Sequence, residues 1–176
     1  GSLESDAIHY FEATKNNDVL NGGIAIFAAG NDAKPYCAYP GALSDVISVS
    51  AFGPDYLPAY YTNYGPGCNI TAPGGEALLA PWTSRKSEVL STLVSETSKG
   101  SADYGYMQGT SMACPHVSGI VALGLSYAKK LGKTFTVSEF KNLLLASTND
   151  FESRLSYATK DYVSDPGEGP GSMGAY

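Results

Sequence analysis

Charged residues are scarce in this chain, and long apolar runs are absent. Only 16% of the 176 residues are charged and 43% are hydrophobic, which is typical of one compact globular unit or most of one. No apolar run approaches the roughly 20 residues that span a membrane, so we expect no membrane span. The formal net charge is −6, and no run of Lys and Arg exceeds two residues, as at Lys129-Lys130. Because phosphates would be repelled, the composition argues against a nucleic-acid partner.

Candidate metal ligands are also few. The chain has two histidines and three cysteines, and its carboxylates form no dense cluster. A hard cation such as Ca²⁺ prefers several oxygen ligands, commonly carboxylates, so we predict no bound metal ion and no other cofactor. Cys114 lies in an apolar segment and is predicted to be a buried free thiol.

Apolar periodicity and turn residues predict alternating helices and strands. Helical spacing predicts a first helix over Leu3–Phe11. Thr136 and Glu139 form a capping box for a later helix that continues through Ala146. Short apolar runs predict strands or hairpins at Ile24–Ala29, Val46–Ser50, Asn69–Ala72 and Val89–Val94. The alternation is typical of an α/β fold with a parallel sheet flanked by helices.

The most informative stretch is Gly109–Val117, with the sequence Gly-Thr-Ser-Met-Ala-Cys-Pro-His-Val. It places Ser111 between a glycine-led turn and the uncharged segment Ser118–Leu125. The absence of charge predicts a helix that is buried on nearly every side and holds its first turn rigidly. This position suits a nucleophile, although Ser111 taken alone could be an ordinary residue at a helix N-terminus.

A serine nucleophile needs a general base, and neither histidine is a good candidate. His116 lies five residues after Ser111, about 500° around a helix, and therefore faces another direction one turn away. We expect it to be a core histidine satisfied by hydrogen bonds. His9 lies in the amphipathic first helix and is expected to be half-exposed.

A second motif, Ala28-Ala29-Gly30-Asn31, follows the apolar run Ile24–Phe27. An asparagine at the carboxyl end of a strand can donate its amide to a developing oxyanion. Taken alone, Asn31 followed by Asp32 could simply form a turn.

Together, the Gly109–Gly119 segment and the Ala28–Asn31 motif resemble the subtilisin-like serine proteases, the subtilases. The resemblance covers residues 5 to about 150. Four further segments agree with it in order, namely Tyr39–Gly41, Val46–Ala51, Thr62–Pro66 and Ile70–Gly74. It implies the three-layer subtilisin-like α/β fold, and in this family the peptide bond before Pro40 is often cis.

The family carries its catalytic aspartate and histidine in two motifs upstream of the Ala-Ala-Gly-Asn strand. Neither an Asp-Thr-Gly nor a His-Gly-Thr-His motif occurs in the 176 residues, and Gly1-Ser2 looks like a cleavage scar from expression. We therefore expect residues 3–160 to be the C-terminal portion of a catalytic domain, with its N-terminal part missing. Residues 161–176, rich in Gly, Pro and Ser, are expected to be loop or disordered.

The resemblance implies roles for individual residues. Ser111 would attack a peptide or protein substrate, and the Asn31 side chain with the Ser111 N–H would form the oxyanion hole. The small residues Ala28, Ala29 and Gly30 would leave room in the specificity pocket. Asp32 could sit at the pocket rim and favour basic residues, or could be a solvated turn residue.

The resemblance also bears on cysteines, calcium and location. Cys37 and Cys68 flank segments that lie close together in the family fold, so a disulfide between them is a possibility. If formed, it would indicate an oxidising compartment, and we expect a secreted, periplasmic or cell-surface protein. Gly67 and Asn69 stand where the family's weak calcium site uses carboxylates, which favours no bound calcium.

Two alternatives to an active enzyme remain open from the sequence. The parent protein could be a pseudoprotease or protein-binding module that keeps the fold, or this chain could be one half of a split domain. Because an incomplete parallel sheet exposes an unpaired edge, we also predict that the isolated chain self-associates.

Overall fold

A parallel three-stranded sheet forms the centre of the computed structural model, which describes residues 2–15, 17–77, 84–93, 103–149, 160–162 and 171–173. The strands β2 (Ile26–Ala28), β3 (Ile47–Phe52) and β4 (Ile70–Pro73) lie in the order β2-β3-β4. Ile26 is paired with Ile47, and Val49 with Ile70. Because the strands are parallel, their carboxyl ends meet at one edge of the sheet.

The middle strand β3 is the most buried, because it is covered on both faces. Its first five residues are all buried, and its sequence Ile-Ser-Val-Ser-Ala has no charge. The core around it joins residues of the sheet, the following loop and two helices. Its fully enclosed members include Leu20, Ile47, Val49, Ala51, Ala59, Ala72, Ala113 and Val117.

The long helix α2 (Thr110–Lys130) packs against the sheet with one face only. Its buried residues are Thr110, Ala113, Val117, Val121 and Ala128. The expectation that it is buried on nearly every side is therefore wrong for the described part of the chain. Ile120, Leu123 and Tyr127 are 56%, 71% and 60% exposed. The described elements cover only the sheet-facing side of this helix, although the segment Ser118–Leu125 has no charge.

At the periphery of the fold, the first helix and strand of the chain contact residues 135–146. Strand β1 (Leu20–Asn21) pairs in parallel with β7 (Phe135–Thr136), and helix α1 (Leu3–Ala13) contributes Glu12 to an ion pair with Lys141 at 3.3 Å. Helix α3 (Val137–Ala146) begins with the predicted capping box, which is confirmed. Glu139 accepts from the Thr136 N–H at 2.8 Å, and the Glu139 N–H donates to the Thr136 hydroxyl at 3.2 Å.

An antiparallel hairpin leads the chain to α2. Strand β5 (Val89–Leu93), preceded by a short 3-10 turn at Arg85–Ser87, pairs with β6 (Asp103–Met107). The prediction of a strand or hairpin at Val89–Val94 is thus confirmed up to Leu93. The cis Tyr39-Pro40 bond implied by the resemblance is also present.

The C-terminal tail differs in part from the prediction of loop or disorder. Strands β8 (Lys160–Tyr162) and β9 (Gly171–Met173) pair in antiparallel fashion, while residues 163–170 and 174–176 lie outside the described residues. Backbone pairing of two short segments needs no apolar periodicity, so the composition gave no signal for it.

Candidate active site

Asn31 and Ser111 come together at the carboxyl edge of the central sheet. Asn31 follows β2, and the chain leaves that strand at Gly30, whose φ of +107° favours glycine. Ser111 is the second residue of α2, which packs across the same sheet. Two residues 80 positions apart in sequence are thereby placed on either side of one opening.

The Asn31 side chain is fixed by Thr110. The Asn31 Oδ1 atom accepts hydrogen bonds from the Thr110 backbone N–H at 2.9 Å and from the Thr110 hydroxyl at 2.8 Å. Thr110 is fully buried, so this anchor is held by its surroundings. Because two donors identify the oxygen side of the amide, its Nδ2 group points the other way as a donor.

The helix N-terminus supplies a second donor beside that amide. In the first turn of α2 the Met112 and Ala113 N–H groups donate to the Gly109 carbonyl. The Ser111 N–H has no acceptor among the described residues. First-turn amides carry the partial positive charge of a helix N-terminus, which favours an anionic oxygen.

The Asn31 amide and the Ser111 nitrogen both border the volume beside Gly109. A Cβ atom at Gly109, where φ is +147°, would lie 3.7 Å from Asn31 Nδ2, 3.7 Å from the Ser111 nitrogen and 3.8 Å from Asn31 Oδ1. Glycine leaves this volume open, and any other residue would also be strained there. An oxygen that gains negative charge next to Ser111 could accept hydrogen bonds from both groups.

The turn before Ser111 is anchored to the end of β4. The Gly109 N–H donates to the Gly74 carbonyl at 3.0 Å. The Gln108 side chain accepts from the Ala77 N–H at 2.8 Å and donates to the Tyr60 hydroxyl at 3.0 Å. These bonds tie the turn before Ser111 to two separate segments of the chain.

Tyr61 strengthens the same region. Its hydroxyl donates to the Gly75 carbonyl at 2.6 Å, and burial raises the pKa of Tyr61 far above its ordinary value, so the hydroxyl stays protonated as a donor. The Tyr61 side chain is only 7% exposed. Sequence reasoning missed Thr110 and Gln108 as supporting residues, although they lie one and three residues before Ser111.

Both histidines are engaged away from the Ser111 hydroxyl. The His116 Nδ1 atom is 2.8 Å from the Met112 carbonyl oxygen, one helical turn back. His116 is exposed, so the expectation of a core histidine is wrong, although its hydrogen bond within α2 was anticipated. His9 Nε2 lies 2.6 Å from Asp45 Oδ2, and 51% of its side chain is exposed, as predicted. Among the described residues, no histidine serves as a base for Ser111.

Ser111 also borders an open groove of about 280 Å³. One wall is the start of β5 and the other is the exposed side of the first turns of α2. The lining residues are Val89, Leu90, Ser91, Ser111, Met112, Pro115 and His116. The groove can hold a mostly apolar side chain next to the serine.

The four residues predicted to contact substrate occupy different environments. Ala28 and Gly30 are half-buried and Asp32 is exposed. Ala29 is fully buried, and its carbonyl accepts from the Ala38 N–H and from Asn63 Nδ2. Ala28 ends β2 and Gly30 begins the turn, and both keep some exposure, whereas Ala29 between them faces the core. The structure therefore gives Ala29 no exposed surface for a substrate side chain.

The three cysteines are free thiols, so the possible Cys37–Cys68 disulfide is not formed in this structure. The Cys37 Sγ atom lies 2.6 Å from the Ser48 hydroxyl. Burial raises the pKa of the Cys68 thiol, and the adjacent Cys37 adds to the rise, so the two side chains are neighbours. Burial also raises the pKa of Cys114, which is half-buried where full burial was expected.

The described residues contain no candidate metal centre and no candidate membrane-spanning helix. In that part of the chain, no three His, Cys, Asp or Glu side chains are grouped so that they could hold a metal ion. None of the described helices is long and apolar enough to cross a membrane.

Known proteins resemble the chain across most of its length. The model of the subtilase family matches residues 1–166. An extracellular basic protease of Dichelobacter nodosus is 36% identical over 136 residues, which are 76% of this chain and 21% of that protein. Halolysin of Haloferax mediterranei is 34% identical over 150 residues, or 83% of this chain and 25% of halolysin.

A solved protease structure from Pseudoalteromonas arctica superposes with a TM-score of 0.63 at 38% identity. The superposition covers 74% of this chain and 37% of that one. The subtilisin-like fold expected from the sequence is thereby confirmed. The chain spans about a fifth of the length of the Dichelobacter nodosus protease and about a quarter of the length of halolysin.

Proposed function

Because the chain belongs to the subtilase family, we propose that it is the part of a serine endopeptidase that carries the nucleophile Ser111 and the oxyanion donor Asn31. The observation that supports this most is the convergence of Asn31 Nδ2 and the Ser111 N–H on the open volume at Gly109. Such donors are already in place when charge develops, so no reorganisation is needed during the reaction.

The proposed reaction is acyl transfer to Ser111. Its hydroxyl oxygen attacks the carbonyl carbon of a peptide bond while a histidine accepts the hydroxyl proton. The carbonyl oxygen becomes an oxyanion between Asn31 and the Ser111 N–H. The histidine then protonates the leaving amine, and water attacks the acyl-enzyme to release the second product.

The base has to come from outside the described residues, since His9 and His116 are engaged elsewhere. We assign it, with its orienting aspartate, to the preceding part of the same catalytic domain. Without triad members, subtilisin itself retains only about 10³–10⁴ over the uncatalysed reaction. The chain alone is therefore proposed to be nearly inactive.

The exposed face of α2 is proposed to be the surface on which that preceding part of the domain docks. Ile120, Leu123 and Tyr127 follow one another at helical spacing and are each more than half exposed. An uncharged helix face of this kind is normally covered by other apolar groups. In the absence of its natural cover, the same face would drive the self-association predicted from the sequence.

The substrate is proposed to be a peptide or protein segment that lies across Ala28 and Gly30. The exposed Asp32 carboxylate stands beside this path and would favour a basic over an acidic substrate residue. This chain matches only 21% and 25% of the two relatives named above, so its location is also a proposal. The name of one relative as extracellular favours a secreted protein.

Fluorophosphonate labelling tests the proposal, because the probe reacts with activated serines. The complete protease that contains this chain should be labelled at Ser111, as located by mass, and should hydrolyse peptides. Ser111→Ala should abolish both signals, and the chain alone should react slowly or not at all. If the complete protein is not labelled, a pseudoprotease or protein-binding module becomes the better interpretation.

A further inference from the structure

Asn63 is a fully buried polar residue to which the catalytic proposal gives no role. It lies in the segment Thr62–Pro66, between β3 and β4, and has 0% exposure. A buried amide is costly unless its donors and acceptors are satisfied, so its hydrogen bonds indicate what it holds.

The hydrogen bonds of Asn63 enclose Asn31 from both sides. Before Asn31, the Asn63 Nδ2 group donates to the Ala29 carbonyl at 3.1 Å, and the Asn63 N–H donates to the Gly30 carbonyl at 3.0 Å. After it, Asn63 Oδ1 accepts from the Asp32 N–H at 3.0 Å and from the Lys34 N–H at 3.1 Å. One side chain therefore closes the turn that carries Asn31.

Two further contacts fix Asn63: a hydrogen bond from Ser50 and close packing against Gly30. The Ser50 hydroxyl donates to the Asn63 carbonyl at 2.8 Å. A Cβ atom at Gly30 would lie only 2.4 Å from Asn63 Nδ2, so the amide occupies the space that glycine leaves. An aspartate at position 63 would keep the two acceptor positions but would lose the donor that meets the Ala29 carbonyl.

From these contacts we infer that Asn63 is a positioning residue for the oxyanion donor. It fixes the backbone of the turn from Ala29 to Lys34, and Thr110 fixes the Asn31 side chain. The bonds from Asn63 act together with the Ala33 N–H, which donates to the Tyr61 carbonyl at 2.9 Å, to hold the backbone under Asn31. The inference rests on the proposed function, since it concerns the donor that faces Ser111. A displacement of 1 Å in such a site can cost about 10² in rate.

The test compares Asn63→Ala with the matched control Ser50→Ala. The control removes the hydrogen bond that Ser50 donates to the Asn63 carbonyl, which still accepts from the Thr62 hydroxyl at 3.1 Å, and it leaves every bond from Asn63 to the Asn31 turn. In the complete protease, Asn63→Ala should lower kcat roughly 10- to 100-fold with KM nearly unchanged. Ser50→Ala should leave kcat within about twofold, even if it lowers the thermal midpoint.

A second readout does not depend on catalysis. In this chain, amide hydrogen exchange at Asp32 and Lys34 should accelerate roughly tenfold or more in Asn63→Ala and should stay unchanged in Ser50→Ala. If Asn63→Ala does not fold, Asn63→Asp replaces it. Asn63→Asp keeps the two acceptor positions for Asp32 and Lys34 but places a buried carboxyl oxygen against the Ala29 carbonyl, so it should lower kcat with little change in exchange at Asp32 and Lys34.

The outcomes separate the inference from the proposed function. If Ser111→Ala leaves hydrolysis intact, the proposed function fails, and exchange at Asp32 and Lys34 still reports whether Asn63 holds the turn. If Ser111 and Asn31 variants lose activity but the Asn63 variant keeps full kcat and loses only thermal stability, the positioning role is overturned. Unchanged exchange at Asp32 and Lys34 would overturn it as well.

Discussion

The two sides of α2 lie in opposite environments. On the sheet side, Ala113 and Val117 are 0% and 1% exposed, and Thr110 is bonded to Asn31. On the outer side, Leu123 is 71% and Tyr127 is 60% exposed. Before Lys129 the helix has no Asp, Glu, Lys or Arg on either side, so the difference comes from what each side contacts. The inner side packs in the core and contacts Asn31. The outer side is an apolar surface that no described residue covers.

The largest effect is expected at the point where the inner side of α2 meets the site. Asn31→Ala removes the amide that faces the Gly109 volume but leaves the Ser111 N–H in place. In the complete protease it should lower kcat by about 10²–10³ with little change in KM, a magnitude known from subtilisin itself. Steady-state kinetics checks this, and labelling of Ser111 should still be detectable. Equal kcat for the variant and the parent would remove Asn31 from the site.

The second effect is a difference in stability between substitutions on the inner and outer sides of α2. Val117→Ala should destabilise this chain by about 2 kcal/mol, because it removes buried methyl groups and leaves a cavity. Leu123→Ala should change its stability by no more than about 0.5 kcal/mol, because the side chain is already exposed. Urea denaturation measures both variants.

The comparison becomes sharper in the complete protease. If α2 is covered there, Leu123→Ala should cost about 2–5 kcal/mol, as for a core leucine. A cost that stays near zero in the complete protein would mean that the outer side of α2 is not the docking surface.

The third effect concerns association of the isolated chain. Replacing Leu123 and Tyr127 by serine should weaken self-association, because the apolar area that drives it is lost. Sedimentation velocity over a range of concentrations reports the change. Leu143→Ser is the matched control, since Leu143 is 52% exposed but lies on α3. A parent chain that is monomeric at high concentration contradicts the prediction.

The smallest effect is expected far from both sides of α2, at the cap of α3. Hydrogen bonds from Thr136 lower the pKa of the Glu139 carboxyl below its ordinary 4.5. A group with a lowered folded-state pKa stabilises the protein above its unfolded pKa and loses that contribution as the pH falls through the folded value. The stability difference between the parent and Glu139→Gln should therefore be present at pH 7 and should fade below about pH 4.5. Thermal melts across this range measure it.

Local sequence signals predicted the elements that depend on local chemistry. The capping box at Thr136 and Glu139, the hairpin from Val89 and the strands around Ile47 and Ile70 all follow from residues close in sequence. The fate of Ala29 was not predictable in the same way. Its small side chain suited a pocket, but hydrogen bonds to Val49, Ala38 and Asn63 hold the residue in the core.

The sequence by itself determined which chemical groups are available. It places a serine at the start of a helix whose segment Ser118–Leu125 has no charge, an asparagine after a strand, and only two histidines in the chain. The tertiary structure decided how these groups are used. Thr110 meets Asn31 across 79 positions, and Asn63 closes the same turn from about 30 positions away. Such bonds between distant segments leave no periodic pattern in a chain, because they depend on how strands and helices pack. For the same reason, an uncharged helix could be recognised from its residues, but only packing decided which of its sides is covered.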